Sequence, residues 1–220
     1  MVFYAVSSRK TTSYQIHPIM FYVQRSLLTL LSILLALSLF ANDGDWQLVK
    51  ESNDIQVYTK KIDGFSLKAY KGETVVRTSI DIVKATIKDI PSQDQWVLDC
   101  KESKILESIS ENEYITYTVT DAPWPVTDRD SVMRVTVSEE ADGKVVFTLK
   151  AEPDYIPIQD GKTRVPHFEG SWTLIPQDNQ TKVIYEGLAD PGGQIPGWLA
   201  NTKIVDNPYH SLLNLKKRVE

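Results

Sequence analysis

Ile195-Pro-Gly-Trp-Leu-Ala-Asn-Thr-Lys-Ile-Val-Asp-Asn-Pro-Tyr-His-Ser-Leu-Leu-Asn-Leu-Lys-Lys-Arg-Val219 is the stretch on which the fold turns. It reads as one long helix closing a chain otherwise rich in strand signals. Pro196 suits a first-turn position, where its missing N–H costs nothing. Trp198, Thr202, Val205, Tyr209 and Leu212 form a stripe at helical spacing, and Lys216, Lys217 and Arg218 gather where the negative end of the helix dipole favours cations. Pro208 predicts a kink or brief break, because an interior proline removes one hydrogen bond and clashes with the preceding turn. Pro191-Gly-Gly193 separates this helix from the strand before it.

Upstream, strand patterns dominate. Ile55–Ile62 and Leu67–Val76 are β-rich runs separated by Asp63-Gly64, a turn pair that tolerates positive φ, so they should pair antiparallel. A helical interval follows, with Thr78 and Asp81 spaced as a capping box and Ile80, Val83, Ile87 and Ile90 on one face until Pro91 stops it. Runs of period two then cover Ser103–Ser108, Tyr114–Thr120, Ser131–Ser138, Val145–Ala151, Gly170–Ile175 and Val183–Leu188. Their connections are short, which argues for an antiparallel meander rather than a parallel βαβ sheet. The fold class is α+β: a curved antiparallel sheet with one long C-terminal helix against it.

Such an arrangement cannot collapse as flatly as a sandwich, and the space left between sheet and helix would be a ligand cavity. Its candidate borders are Tyr117, Trp124, Met133, Phe147, Trp172, Tyr185, Trp198 and Tyr209. Dense filling of that space by the same aromatic side chains is the alternative that pattern alone leaves open.

The first 41 residues read differently from the rest. Leu27 to Ala41 is an uncharged run preceded by Arg25 and followed by the polar Asn42-Asp43-Gly44-Asp45, the grammar of a signal peptide. The run is short for a spanning helix, which makes retention as a membrane anchor the minor expectation. Met20-Phe-Tyr-Val-Gln-Arg25 resembles a conventional start for such a segment, so translation is expected to begin at Met20. Export to the periplasm or beyond is therefore expected, leaving residues 42–220 as one domain of 179 residues.

The 220-residue chain has 24 Lys and Arg against 29 Asp and Glu. Removing the prefix with Arg9, Lys10 and Arg25 takes the net charge from -5 to 21 - 29 = -8. Nucleic acid is excluded as a partner, because phosphate binding needs a basic footprint. A single cysteine, Cys100, rules out a disulfide framework or a multi-thiolate zinc site.

Chemistry-bearing motifs are missing. His167 and His210 have no zinc-binding spacing, and there is no phosphate loop, nucleophile elbow or dinucleotide fingerprint. Asp121, Asp128 and Asp130 match no calcium loop and read as turn carboxylates. No catalytic residue, metal or cofactor is assigned.

Three strings in order carry a resemblance: Trp124-Pro-Val-Thr-Asp-Arg-Asp130, Gly170-Ser-Trp172 followed by Pro176, and Asp190-Pro-Gly-Gly-Gln-Ile-Pro-Gly-Trp-Leu-Ala-Asn201. Over roughly Asp45 to Val219 the chain resembles START domains, the steroidogenic-acute-regulatory-protein-related lipid-transfer family. The resemblance implies a helix-grip fold, with the C-terminal helix closing a curved sheet over a hydrophobic cavity. It also implies binding of a lipid, and its transfer, without chemistry. It keeps the family's Arg-Asp pair as Arg129 and Asp130 and adds Arg129 to the ligand-binding candidates. The acidic and basic positions that some members place in the tunnel correspond to Thr118 and Val135, so no sterol is implied. The expectation is an exported monomer that carries one hydrophobic ligand and meets membranes transiently. A grip-fold cyclase or hydrolase, using His167 or the Asp121 to Asp130 carboxylates as base, is the alternative.

Overall fold

Alternation along the strands decides what the sheet encloses. In the computed structural model, which describes residues 46–220 but not the side-chain surroundings of residues 197 and 198, ten strands form one sheet. In chain order they are β1 (Gln47–Ser52), β2 (Ile55–Lys60), β3 (Ala69–Val76), β4 (Cys100–Ser110), β5 (Glu113–Thr120), β6 (Arg129–Glu139), β7 (Val145–Ala151), β8 (Thr163–Arg164), β9 (His167–Gln177) and β10 (Gln180–Asp190). The spatial order is β1-β2-β3-β10-β9-β7-β6-β5-β4, antiparallel throughout, with the two-residue β8 added parallel to β6. The sheet curves without closing into a barrel. Helix α1 (Ile80–Lys88) and a 3₁₀ turn (Ile90–Gln95) connect β3 to β4, and α2 (Gly197–Val219) ends the chain. This is the helix-grip architecture that the resemblance implied, and the curved antiparallel sheet with a terminal helix that the meander suggested. The expected signal segment, residues 1–41 with Met20, lies outside the described residues.

Three local readings are corrected, and two strands join those expected. Strands β1 and β8 carry no period-two burial that a sequence could display: β1 is an exposed edge and β8 is two residues long. The cap of α1 is Ser79, not Thr78, and makes no side-chain cap bond; the Thr78 carbonyl instead accepts a hydrogen bond from Thr181 Oγ1 at 2.9 Å. Helix α2 runs unbroken through Pro208. The proline is pressed onto Gly72 of β3, where an added Cβ would stand 3.1 Å from Pro208 Cβ and 2.7 Å from Leu212 Cδ1, so packing holds the helix across the missing hydrogen bond. Among the described residues the buried positions of α2 are Leu199, Ala200, Ile204, Pro208, Tyr209, Ser211, Leu212 and Leu215, so Tyr209 and Leu212 of the expected stripe are buried while Thr202 is exposed and Val205 half-buried.

Two clusters of apolar side chains lie on opposite faces of the sheet. On the concave side Ile55, Val57, Val76, Phe147, Trp172, Leu174, Val183, Leu212 and Leu215 pack with α1 and α2. On the convex side of β5 and β6, Ile115, Tyr117, Val119 and Val132 form a smaller cluster with Leu106 and Ile156. The β7–β8 connection covers it and is pinned there by Arg164, which donates to the carbonyls of Pro153, Ile156 and Pro157. Among the described residues no helix is long and apolar enough to cross a membrane.

Candidate functional site

A cavity of about 300 Å³ lies between the concave face and the first half of α2. Cross-strand register assembles its walls. Phe147 pairs with Trp172 across β7 and β9, Trp172 with Tyr185 across β9 and β10, and Tyr185 with Gly72 across β10 and β3. The Trp172 and Tyr185 rings stack at 3.9 Å, while Trp96 and Tyr70 meet them edge-on at 5.7 and 5.2 Å. Phe147, Trp172, Tyr185 and Tyr70 make one wall apolar, with Trp96 packed behind Trp172, and offset and edge contacts add to what burial alone contributes. Leu199, Ala200, Lys203, Ile204 and Asn207 of α2 form the roof.

The opposite wall is polar. Thr116, Thr118 and Thr120 of β5 alternate into the cavity and pair with Met133, Ser131 and Arg129 of β6. Ser103 Oγ lies 3.4 Å from both Thr118 Oγ1 and Gln93 Oε1, linking the hydroxyls to the 3₁₀ turn. Tyr114 Oη, Arg129 Nε and Asn207 Oδ1 of the lining are buried without a hydrogen-bond partner among the described residues. Burial pushes the Tyr114 hydroxyl up to about 12 and the Arg129 guanidinium down from its ordinary range. The two lining carboxylates are tied to cations, Asp99 to Lys203 and Asp121 to Lys101.

Of the residues expected at the ligand site, Arg129, Met133, Phe147, Trp172 and Tyr185 line this cavity. Tyr117 does not. It sits in the convex cluster because it is one residue out of phase with Thr116 and Thr118, and its hydroxyl meets Asp130. Trp124 is 93% exposed on the β5–β6 connection, although its neighbours Pro123 and Val126 line the cavity. Tyr209 is buried off the cavity, where its hydroxyl accepts from Asn53 Nδ2 at 2.7 Å and Lys50 Nζ stands 3.7 Å from its ring centre. The side chain of Trp198 lies outside the described residues. Tyr70, Phe168, Leu149 and the three threonines were missed. Once Met133 is placed inside, its partner Thr116 must follow, and with it every second residue of β5.

The carboxylates are otherwise engaged, while His167 Nε2 is buried with no hydrogen-bond partner among the described residues. Asp128 shares Lys101 with Asp121, and Asp130 is paired with Arg164. The His167 ring lies 5.1 Å from that of Phe65 and the His210 ring 4.9 Å from that of Tyr209, and neither histidine lines the cavity.

The START domain model matches residues 33–205. The chain belongs to the START domain family. It is 39% identical over 177 residues to an uncharacterized protein of Pseudomonas aeruginosa, covering 80% of this chain and 87% of that one. The solved structure of a STAR-related lipid transfer protein from Xanthomonas axonopodis (fragment 25–204) superposes with a TM-score of 0.75 at 35% identity, over 80% of this chain and 99% of that one. The phosphatidylcholine transfer protein of Rattus norvegicus is 27% identical over 164 residues, 71% of this START chain and 75% of its own length.

Proposed function

We propose that this START protein encloses one lipid in the cavity beneath α2, shields it from water and passes it between membranes without chemical change. The observation that carries the reading is the cavity itself: an apolar aromatic wall facing a wall of hydroxyls, roofed by a single helix, suits a ligand with a hydrocarbon part and a polar end. Its volume lies at the lower end of small-molecule sites, about 300–1,000 Å³. Similarity to a phosphatidylcholine transfer protein supports a lipid as the partner. Carriage is favoured over a cyclase or hydrolase because Asp99 and Asp121, the carboxylates in the lining, are held in ion pairs, and a general base needs a free acceptor near its substrate. The protein works as an exported monomer touching membranes transiently, the apolar segment ending at Ala41 serving as a signal peptide.

Trp172 and Trp96 report occupancy. Titrating the delipidated protein with a fluorescent acyl or phospholipid probe gives saturable binding and quenches the intrinsic emission. Folded protein that shows no saturation with any lipid class contradicts the reading.

A further inference from the structure

Arg129 and Asp130 are adjacent in β6, so alternation sends them to opposite faces of the sheet. Asp130 is fully buried and meets Arg164 twice, with Nε donating to Oδ1 at 3.1 Å and Nη2 to Oδ2 at 2.9 Å. That buried charge is answered by its opposite. Arg129 is 7% exposed, lines the cavity, and makes no ion pair among the described residues. Its Nη1 donates to the Thr127 carbonyl and its Nη2 to the Gly192 carbonyl at 3.3 Å, both neutral acceptors. Its Nε is buried with no hydrogen-bond partner among the described residues.

The acids nearby are committed elsewhere. Asp128 Oδ2 accepts from Lys101 Nζ at 2.9 Å and its Oδ1 from the Ala122 amide at 3.1 Å. Asp99 and Asp121 are bound to lysines, as above. A guanidinium stays protonated, and two carbonyls satisfy donors without neutralising the charge. A buried charge left in that state is costly unless an anion reaches it. Beside Arg129 the wall offers hydroxyls: Thr120 is its cross-strand partner, and Ser131 and Thr118 form the next pair on the same face. Arg129 also borders a second cleft at the surface, with Val126, Thr163 and Gly193 to Pro196, so it stands between the interior and solvent at this end of the strands.

We infer that Arg129 anchors a negatively charged oxygen group on the carried lipid, a phosphate diester or a carboxylate. The hydroxyls of Thr118, Thr120 and Ser131 flank that group, and the hydrocarbon runs toward Phe147 and Trp172. The inference rests on the lipid-carriage reading and specifies its ligand: a lipid ending in an alcohol alone leaves the guanidinium unanswered. Lys68, which lines the cavity and makes no ion pair among the described residues, is exposed and solvated, so it gains little from meeting the same group.

The test is competitive loading. The full chain, stripped of lipid, is incubated with vesicles containing dioleoylphosphatidylcholine, dioleoylglycerol and palmitic acid in equal amounts, then recovered, and its lipid is quantified by mass spectrometry. The wild type should favour an anion-bearing lipid over dioleoylglycerol by about tenfold or more, the factor that about 1.4 kcal/mol represents. Enrichment of the phospholipid or of palmitate tells which oxygen group is used. Arg129→Gln keeps donors for the two carbonyls but loses the charge, and should bring the ratio close to one while dioleoylglycerol still loads. An undiminished preference in the Gln chain overturns the inference, as does a wild-type ratio near one. Should the Gln chain fail to fold, the wild-type ratio decides alone. Loading of none of the three lipids by folded wild type overturns the carriage reading itself.

Discussion

A Cβ placed on Gly187 would stand 2.5 Å from the Tyr70 hydroxyl oxygen and 2.6 Å from its Cζ. The two residues face each other across β3 and β10, and the Tyr70 ring is held from the other side by Tyr185, which itself stacks on Trp172. Gly170 lies opposite Gly187 across β9 and β10. The missing side chains at this pair let the aromatic wall settle against the sheet while the cavity stays open in front of it.

Gly187→Ala should therefore overpack this wall and destabilise the protein by about 1–3 kcal/mol, read as a lowered Tm. Tyr70 cannot swing aside without breaking its contact with Tyr185. Combining Gly187→Ala with Tyr70→Leu should recover part of the loss, since residues in contact do not add independently. An unchanged Tm in the single variant would mean the ring is not seated there.

Cys100 borders the cavity, and its thiol is a probe of that environment. Burial and the nearby Asp94 carboxylate push it up to about 11. Alkylation at pH 8 should be about a hundredfold slower than for an ordinary thiol, because only the thiolate reacts, and should climb steadily toward pH 11. Bound lipid should slow it further. Rapid labelling at pH 8 would contradict the placement.

The two halves of α2 do different work. From Leu199 to Asn207 the helix roofs the cavity, whereas Leu212 and Leu215 are fully buried against the sheet and Asn214 Nδ2 donates to the Trp96 carbonyl at 3.1 Å. Amide exchange in lipid-free protein should be faster over 199–207 than over 209–217, with lipid protecting the first half. Uniformly slow exchange unaffected by lipid would place the entrance elsewhere, at a loop such as 153–166.

The strands were legible because β2, β7, β9 and β10 bury one face and wet the other, which writes period two into the sequence. The phase of β5 was not. Tyr114, Ile115, Thr116 and Tyr117 are all buried, because the β7–β8 connection covers the convex side, so alternation in polarity no longer marks the cavity face. A tyrosine at 117 outweighed threonines at 116 and 118 for the same reason: large aromatic residues read as lining by default. Trp124 fails that default in the other direction, standing in solvent on a connection. In α2 the phase of the stripe depends on where Pro208 docks, and Gly72, which receives it, lies more than a hundred residues away in the chain. The polar character of the site was hidden in the same way, since the sequence does not say which of the adjacent Arg129 and Asp130 is paired until Asp130 is seen to meet Arg164.

Native mass spectrometry of the folded protein after exposure to vesicles of mixed phospholipids and fatty acids tests lipid carriage most directly. The account requires a complex of one protein with one lipid, released on extraction chemically unchanged. Folded protein that emerges empty, or that returns the lipid hydrolysed or cyclised, would contradict it.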